Sequence, residues 1–175
     1  MTRDAAWLAG HLRDVPDFPK PGIVFKDLTP LLADVEAFGT TVEGLATHAG
    51  GLPVDKVVGI EARGFIFASA VAHRVGAGFV PVRKPGKLPW KTVVETYELE
   101  YGTDALEIHE DAVAPGEDVY VVDDVLATGG TAAATCRLVE RLGGRIAGVG
   151  FVVELGFLDG RARLPDYDIR SLITV

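Results

Sequence analysis

The residues of this chain best suited to chemistry lie between Val119 and Thr135, which reads Val-Tyr-Val-Val-Asp-Asp-Val-Leu-Ala-Thr-Gly-Gly-Thr-Ala-Ala-Ala-Thr. Four apolar residues, β-branched or aromatic, run into the adjacent acids Asp123 and Asp124. A turn of Ala127, Thr128, Gly129, Gly130 and Thr131 follows, and then an Ala-rich segment with high helix propensity. The order is buried strand, acidic strand end, glycine turn and helix start. Ligands of open α/β sheets bind at the carboxyl ends of the strands. A helix N-terminus reached through a glycine turn offers unpaired N–H groups to a phosphate. Asp123 and Asp124 would stand beside it, able to hold sugar hydroxyls or a magnesium ion. One ligand that needs all three features is a ribose 5-phosphate carrying further phosphates.

The remaining elements must place those residues. Asp4–Arg13 carries Trp7, Leu8 and Leu12 at helical spacing and predicts a short amphipathic helix. Asp14–Pro30 contains several prolines and reads as an extended, irregular segment. Its Phe18, Ile23, Val24 and Phe25 are too apolar for water, so it should wrap the surface and cover a pocket. Asp34–Ala49 predicts a helix capped by Asp34. Val54–Ile60 is a buried strand ending in Glu61-Ala62-Arg63-Gly64, followed by a helix over Gly64–Val75 and a strand over Gly78–Val82. Arg83–Trp90 is a loop by composition. Thr92–Tyr101 alternates partially and predicts one strand of an antiparallel flap, with Gly102–Asp104 as its turn and Ala105–His109 returning. After the turn Pro115–Asp118 comes the opening motif, then a helix over Thr131–Leu142, a strand over Ile146–Glu154, a helical turn over Gly156–Arg163 and a last strand over Asp168–Val175. Strands alternating with helices predict an α/β fold: a doubly wound, mainly parallel sheet flanked by helices, with an antiparallel flap and an N-terminal hood segment.

A length of 175 residues favours one domain, 1–175, with a hood over 1–33 and a flexible lid or flap over 83–105. Cys136 is the only cysteine, so no disulfide can form within one chain, which fits a reducing cytoplasm. The N-terminus has no long apolar run, predicting neither signal peptide nor membrane span. A net charge of −8 argues against nucleic-acid binding. Locally, Arg83, Lys84, Lys87 and Lys91 form an acid-free basic stretch that can attract an anion despite that total. The four histidines show no metal-ligand spacing.

The Val119–Thr135 stretch resembles the phosphoribosyl-pyrophosphate (PRPP) motif of the type I phosphoribosyltransferases. Phe18–Asp27, Glu61–Phe65, Val82–Pro89, Tyr97–Gly102 and Leu106–His109 narrow the resemblance to the adenine-specific branch of that family. These matches occur in the family's order and spacing over Asp17–Leu155. The resemblance implies a purine salvage enzyme that uses PRPP and adenine to form AMP and pyrophosphate. It implies 5-phosphate binding by Ala127–Thr131, ribose hydroxyls on Asp123 and Asp124, and pyrophosphate on Glu61, Ala62, Arg63 and the basic loop (Arg83, Lys84, Lys87), with a non-proline cis peptide near Glu61–Ala62. It implies base recognition by the backbone of Val24 and Lys26, stacking on Phe25 and packing on Leu155. Glu100 falls on a flap glutamate that handles the N7 proton, with Tyr101 beside it. Magnesium is expected through substrate oxygens and water, with Asp123 and Asp124 as protein donors, and a homodimer is expected, with apolar residues around Phe65–Phe67 in its interface. Two alternatives stay open: a transferase for another 6-substituted purine, and a PRPP- or purine-sensing regulator on the same fold.

Overall fold

A computed structural model describes residues 3–98 and 102–175. Its centre is a five-stranded sheet in the order β4-β3-β7-β8-β9 with every neighbouring pair parallel, built from β3 (Lys56–Ile60), β4 (Gly78–Val82), β7 (Asp118–Leu126), β8 (Arg145–Glu154) and β9 (Ile169–Thr174). A parallel sheet needs cover on both faces, and β7 shows how the sequence supplies it. Tyr120 and Val122 pack with α3 (Val35–Gly50) and α4 (Gly64–Val75), whereas Val119 and Val121 pack with α5 (Gly130–Arg141) and the flap. Alternate side chains thus enter two separate cores, which is why the strand reads as one unbroken apolar run. At about 25 cal/mol per Å² of apolar surface, fully burying each Val or Tyr of this run is worth roughly 1.5–3 kcal/mol.

The flap is a separate antiparallel pair, β5 (Thr92–Glu98) with β6 (Thr103–His109), whose Leu106 and Ile108 are buried against the α5 side of the sheet. It is tied to the end of β4 by a bridge in which Arg83 and Glu107 exchange backbone hydrogen bonds of 3.0 and 2.7 Å. The expected flap residues Leu99, Glu100 and Tyr101 lie outside the described residues.

The N-terminal segment differs from the expectation. The first helix, α1, spans only Ala5–Ala9, capped by the Asp4 carboxylate at 2.8 Å from the Trp7 N–H and stopped at Gly10. The stretch expected to be irregular holds a two-stranded antiparallel pair, β1 (Arg13–Pro16) with β2 (Val24–Asp27), and a short helix, α2 (Thr29–Ala33). The prolines do not break these elements because of where they stand. Pro16 ends a strand, Pro19 and Pro21 lie in the connection, and Pro30 occupies the first turn of α2, where its missing N–H has no partner to lose. Asp34 caps α3 as expected, accepting from the Glu36 and Ala37 N–H groups at 3.0 and 2.8 Å.

Candidate active site

The carboxyl ends of β3 and β7 are neighbours, and they bring the two motifs together. The Glu61–Ala62 peptide after β3 is cis, as the family resemblance implied. The acids are not the last residues of their strand: β7 continues through Asp123 and Asp124 to Leu126, with Asp123 opposite Phe151 and Val125 opposite Val153 of β8. This alternation sends Asp123 and Asp124 to opposite sides of the strand. Asp124 is buried and forms an ion pair with Arg63. Asp123 is half-buried as a residue, but its carboxyl is turned inward: Oδ1 accepts from the Asp124 N–H at 2.9 Å and lies 2.7 Å from where a Cβ on Gly64 would stand. Burial first, and the Asp124 charge second, push the Asp123 carboxyl well above the usual carboxylate range.

These groups open into a cavity of about 540 Å³ lined by Val24, Phe25, Lys26, Glu61, Ala62, Arg63, Lys84, Asp123, Asp124, Ala127, Thr131 and Leu155 among others. Twelve residues named from the sequence therefore share one space. Beneath the turn a smaller hollow of about 70 Å³ is lined by Asp123, Ala127, Gly129 and Thr131 and floored by Phe151. Gly129 has φ +81°, and among the described residues no side chain caps the α5 N-terminus, so its first N–H groups can serve a ligand. Thr128 and Gly130 complete the turn.

Opposite the turn, the Phe25 ring lies 5.3 Å from the Arg63 guanidinium and meets Phe18 edge-on at 5.2 Å. Lys26 lines the cavity, and its ammonium pairs with Asp14 across the β1–β2 pair at 2.6 Å. In the basic loop the structure separates roles that the sequence had pooled. Lys84 lines the cavity and forms an ion pair with Asp104. Arg83 and Lys87 instead grip Glu61, at 2.7 and 3.5 Å. Burial would raise Glu61, but the Arg83 hydrogen bond and the Lys87 charge together hold it below its usual range.

A family model for the phosphoribosyl transferase domain matches residues 41–172. The chain is 60% identical over 166 residues to the adenine phosphoribosyltransferase of Acidobacterium capsulatum, covering 95% of this chain and 92% of that one. It belongs to the adenine phosphoribosyltransferase family. Among solved structures of adenine phosphoribosyltransferases, that from Thermoanaerobacter pseudethanolicus superposes with a TM-score of 0.95 at 54% identity, covering 98% of this chain and 99% of that one. The Saccharomyces cerevisiae adenine phosphoribosyltransferase, solved with adenine and an imino-altritol bisphosphate, gives 0.91 at 41% identity, covering 96% and 97%.

Within this adenine phosphoribosyltransferase fold the structure adds residues that sequence reading did not assign to the site. Tyr97 lines the cavity, and its hydroxyl lies 3.2 Å from Thr131 Oγ1 and 3.3 Å from Asp104 Oδ2. The register that pairs Tyr97 with Asp104 across the flap therefore connects Lys84, the flap and the glycine turn at Thr131. Alternation had put Tyr97 on one face of a strand; only the packing of the hairpin onto α5 shows what that face meets. Phe67 is a correction of the other kind. It stands on the inward face of α4, fully buried in the core, and leaves Phe65 and Ile66 as the accessible members of the expected apolar group.

Proposed function

We infer that this chain transfers the 5-phosphoribosyl group of PRPP to N9 of adenine, giving AMP and pyrophosphate in purine salvage. The observation that carries the reading is the shared cavity, whose lining includes the acid pair, Ala127 and Thr131 of the glycine turn, Phe25 and the Glu61–Arg63 loop. In this reading the N–H groups of Ala127–Thr131 hold the 5-phosphate, and Asp123 and Asp124 hold the ribose hydroxyls. The Glu61–Arg63 loop and Lys84 receive the pyrophosphate, with Arg83 and Lys87 supporting that loop through Glu61. Val24 and Lys26 meet the adenine edge through their backbone, where a C=O and an N–H match the N6 donor and N1 acceptor. Phe25 and Leu155 pack on its faces.

The C1–O bond to pyrophosphate breaks as the C1–N9 bond forms, and the anomeric carbon develops positive charge. A carboxyl such as Asp123, poorly compensated in its buried setting, is the group that such a charge would most stabilise. The base gives up its proton; Glu100 is the group proposed for that, with Tyr101 beside it. The lid over 83–105 and the hood over 1–33 are proposed to exclude water from the cationic sugar.

Magnesium is the proposed cofactor. The donors fit a hard divalent cation in kind but not in number: Asp124 already pairs with Arg63, Asp123 has one oxygen on the Asp124 N–H, and the described residues contain no cluster of three candidate ligands. Asp123 and Asp124 would therefore share the ion with substrate oxygens and water. When bound, it neutralises charge on the departing pyrophosphate.

A homodimer is proposed from the exposed apolar Ile66 and Phe79, the latter on the edge strand β4 with Phe65 5.8 Å away. Cytoplasmic residence is proposed from the single buried thiol, Cys136; among the described residues no helix is long and apolar enough to cross a membrane. Competition among adenine, hypoxanthine, guanine and xanthine for PRPP tests the central reading. Adenine is expected to be converted to AMP in preference to the others, and equal use of all four bases would overturn it.

A further inference from the structure

The reaction makes no direct use of Gly156–Arg163, the stretch that follows Leu155, yet its backbone presses against the phosphate turn. Gly160 is buried, and a Cβ added to it would run into the Ala127 carbonyl and stand 2.9 Å from Leu126 Cδ1. The relation is reciprocal: a Cβ on Gly129 would run into the Gly160 carbonyl and stand 3.3 Å from Arg163 Cβ. Two backbones thus meet with a glycine on each side, the usual means of close approach. Peptide planarity gives that contact a direction. In a trans peptide the C=O and the N–H point opposite ways. With its carbonyl against Gly160, the Ala127–Thr128 peptide turns its N–H away from the supporting turn.

The support is itself anchored. Arg161 forms a bidentate pair with the largely buried Glu154 at the end of β8, both contacts at 2.8 Å, and reaches the Ile169 carbonyl at 3.3 Å and Ser171 Oγ at 3.4 Å on β9. The Leu155 N–H donates to the Leu126 carbonyl at 2.9 Å, closing the base of the turn onto β7. At the other end of the turn, Arg163 Nη1 lies 3.3 Å from the Cβ position of Gly130, beside the N-terminus of α5. A cation there opposes the helix dipole, and an anion bound at the same place would offset that.

We propose that Gly160–Arg163 is a positioning element for the 5-phosphate, resting on the function inferred above. Gly160 sets the direction of the Thr128 N–H, and Arg163 adds positive charge behind the turn. Neither residue is assigned a contact with reacting atoms. The test separates the two anion sites by titrating each with its own half of the substrate, ribose 5-phosphate and pyrophosphate, in a calorimeter.

In Gly160→Ala the affinity for ribose 5-phosphate is expected to fall on the order of tenfold, the scale of a small misplacement in a preorganised site. Pyrophosphate affinity should stay within about twofold, and the KM for PRPP should rise while that for adenine does not. Unchanged ribose 5-phosphate affinity, or an equal loss for both ligands, overturns the proposal. If Gly160→Ala does not fold, Arg163→Gln decides, because its exposed side chain can be changed without touching the core. A roughly threefold loss for ribose 5-phosphate alone, reduced by high salt, supports the proposal, and no loss overturns it. Failure of the unaltered protein to bind either ligand would instead refute the parent function.

Discussion

Gly64 offers a test in which stability and activity should part. It is the first residue of α4 and stands under Asp123: an added Cβ would lie 2.7 Å from Asp123 Oδ1, 3.2 Å from the Val122 carbonyl oxygen and 3.3 Å from Asp123 Cα. Two of those three neighbours are β7 backbone, so rotating one side chain cannot relieve the contact. The third is already held by the Asp124 N–H at 2.9 Å. Replacing Gly by Ala in a helix gains up to about 1 kcal/mol, whereas overpacking a tight site costs about 1–3 kcal/mol. The net loss for Gly64→Ala is then roughly 0–3 kcal/mol. At roughly 2–4 °C per kcal/mol for a chain of this size, the melting temperature should drop by less than about 12 °C. Activity has no such offset. Displacing Asp123 by a few tenths of an ångström to 1 Å should lower kcat/KM on the order of a hundredfold. Gly39→Ala is the control: it lies inside α3 with nothing within 4 Å of an added Cβ, and should stabilise slightly with full activity. The assays are thermal melting and AMP formation at saturating adenine. A Gly64→Ala enzyme with the turnover of the unaltered protein would refute the claim that Asp123 must sit where Gly64 leaves room for it.

Three further outcomes are expected. The double change Asp123→Asn with Asp124→Asn should lower turnover at least a hundredfold while circular dichroism stays native; near-normal AMP formation would remove both residues from the mechanism. Glu61 is held below its usual value near 4.5 by Arg83 and Lys87. Its stabilising effect is therefore fully present above that pH and lost as pH falls through the lower folded-state value. Glu61→Gln should be less stable than the unaltered protein at neutral pH, and the gap should narrow below pH 4.5 in pH-dependent urea melts; a gap independent of pH would discount the ion pairs. Phe67→Ala should cost about 3–5 kcal/mol in denaturant melts, because Phe67 is fully buried on the inward face of α4. A loss below about 1 kcal/mol would return Phe67 to the surface.

Much of the architecture could be read in the chain because the signals are local. The helix over Gly64–Val75 and the strand over Gly78–Val82 have the bounds expected of them. Both are delimited by glycine, proline or a charged loop, and both carry a buried run long enough to count. For the opposite reason, the strand pair inside the N-terminal segment is not legible. Pairing Arg13–Pro16 with Val24–Asp27 is a contact between short, proline-flanked segments, and neither segment has a strong period of its own. The same holds within the site. Asp123, Asp124 and the glycine turn are contiguous, so their chemistry could be proposed from spacing. Tyr97 and Asp104 belong to it through strand register and the docking of a hairpin on α5, which no local pattern encodes.

The sequence by itself therefore determined which groups stand together: a glycine turn before a helix, an acid pair, a basic loop and an aromatic N-terminal segment, each carried by consecutive residues with known chemical habits. Tertiary structure decided their division of labour. Four basic residues in one loop look equivalent along the chain, yet folding commits Arg83 and Lys87 to Glu61 and places Lys84 in the cavity wall. It also makes Gly160, thirty residues from the phosphate turn, the surface against which that turn is set. The physical reason is the range of the forces. Propensity and turn chemistry act over a few residues, while close packing and ion pairing depend on which distant backbones the two cores bring into contact.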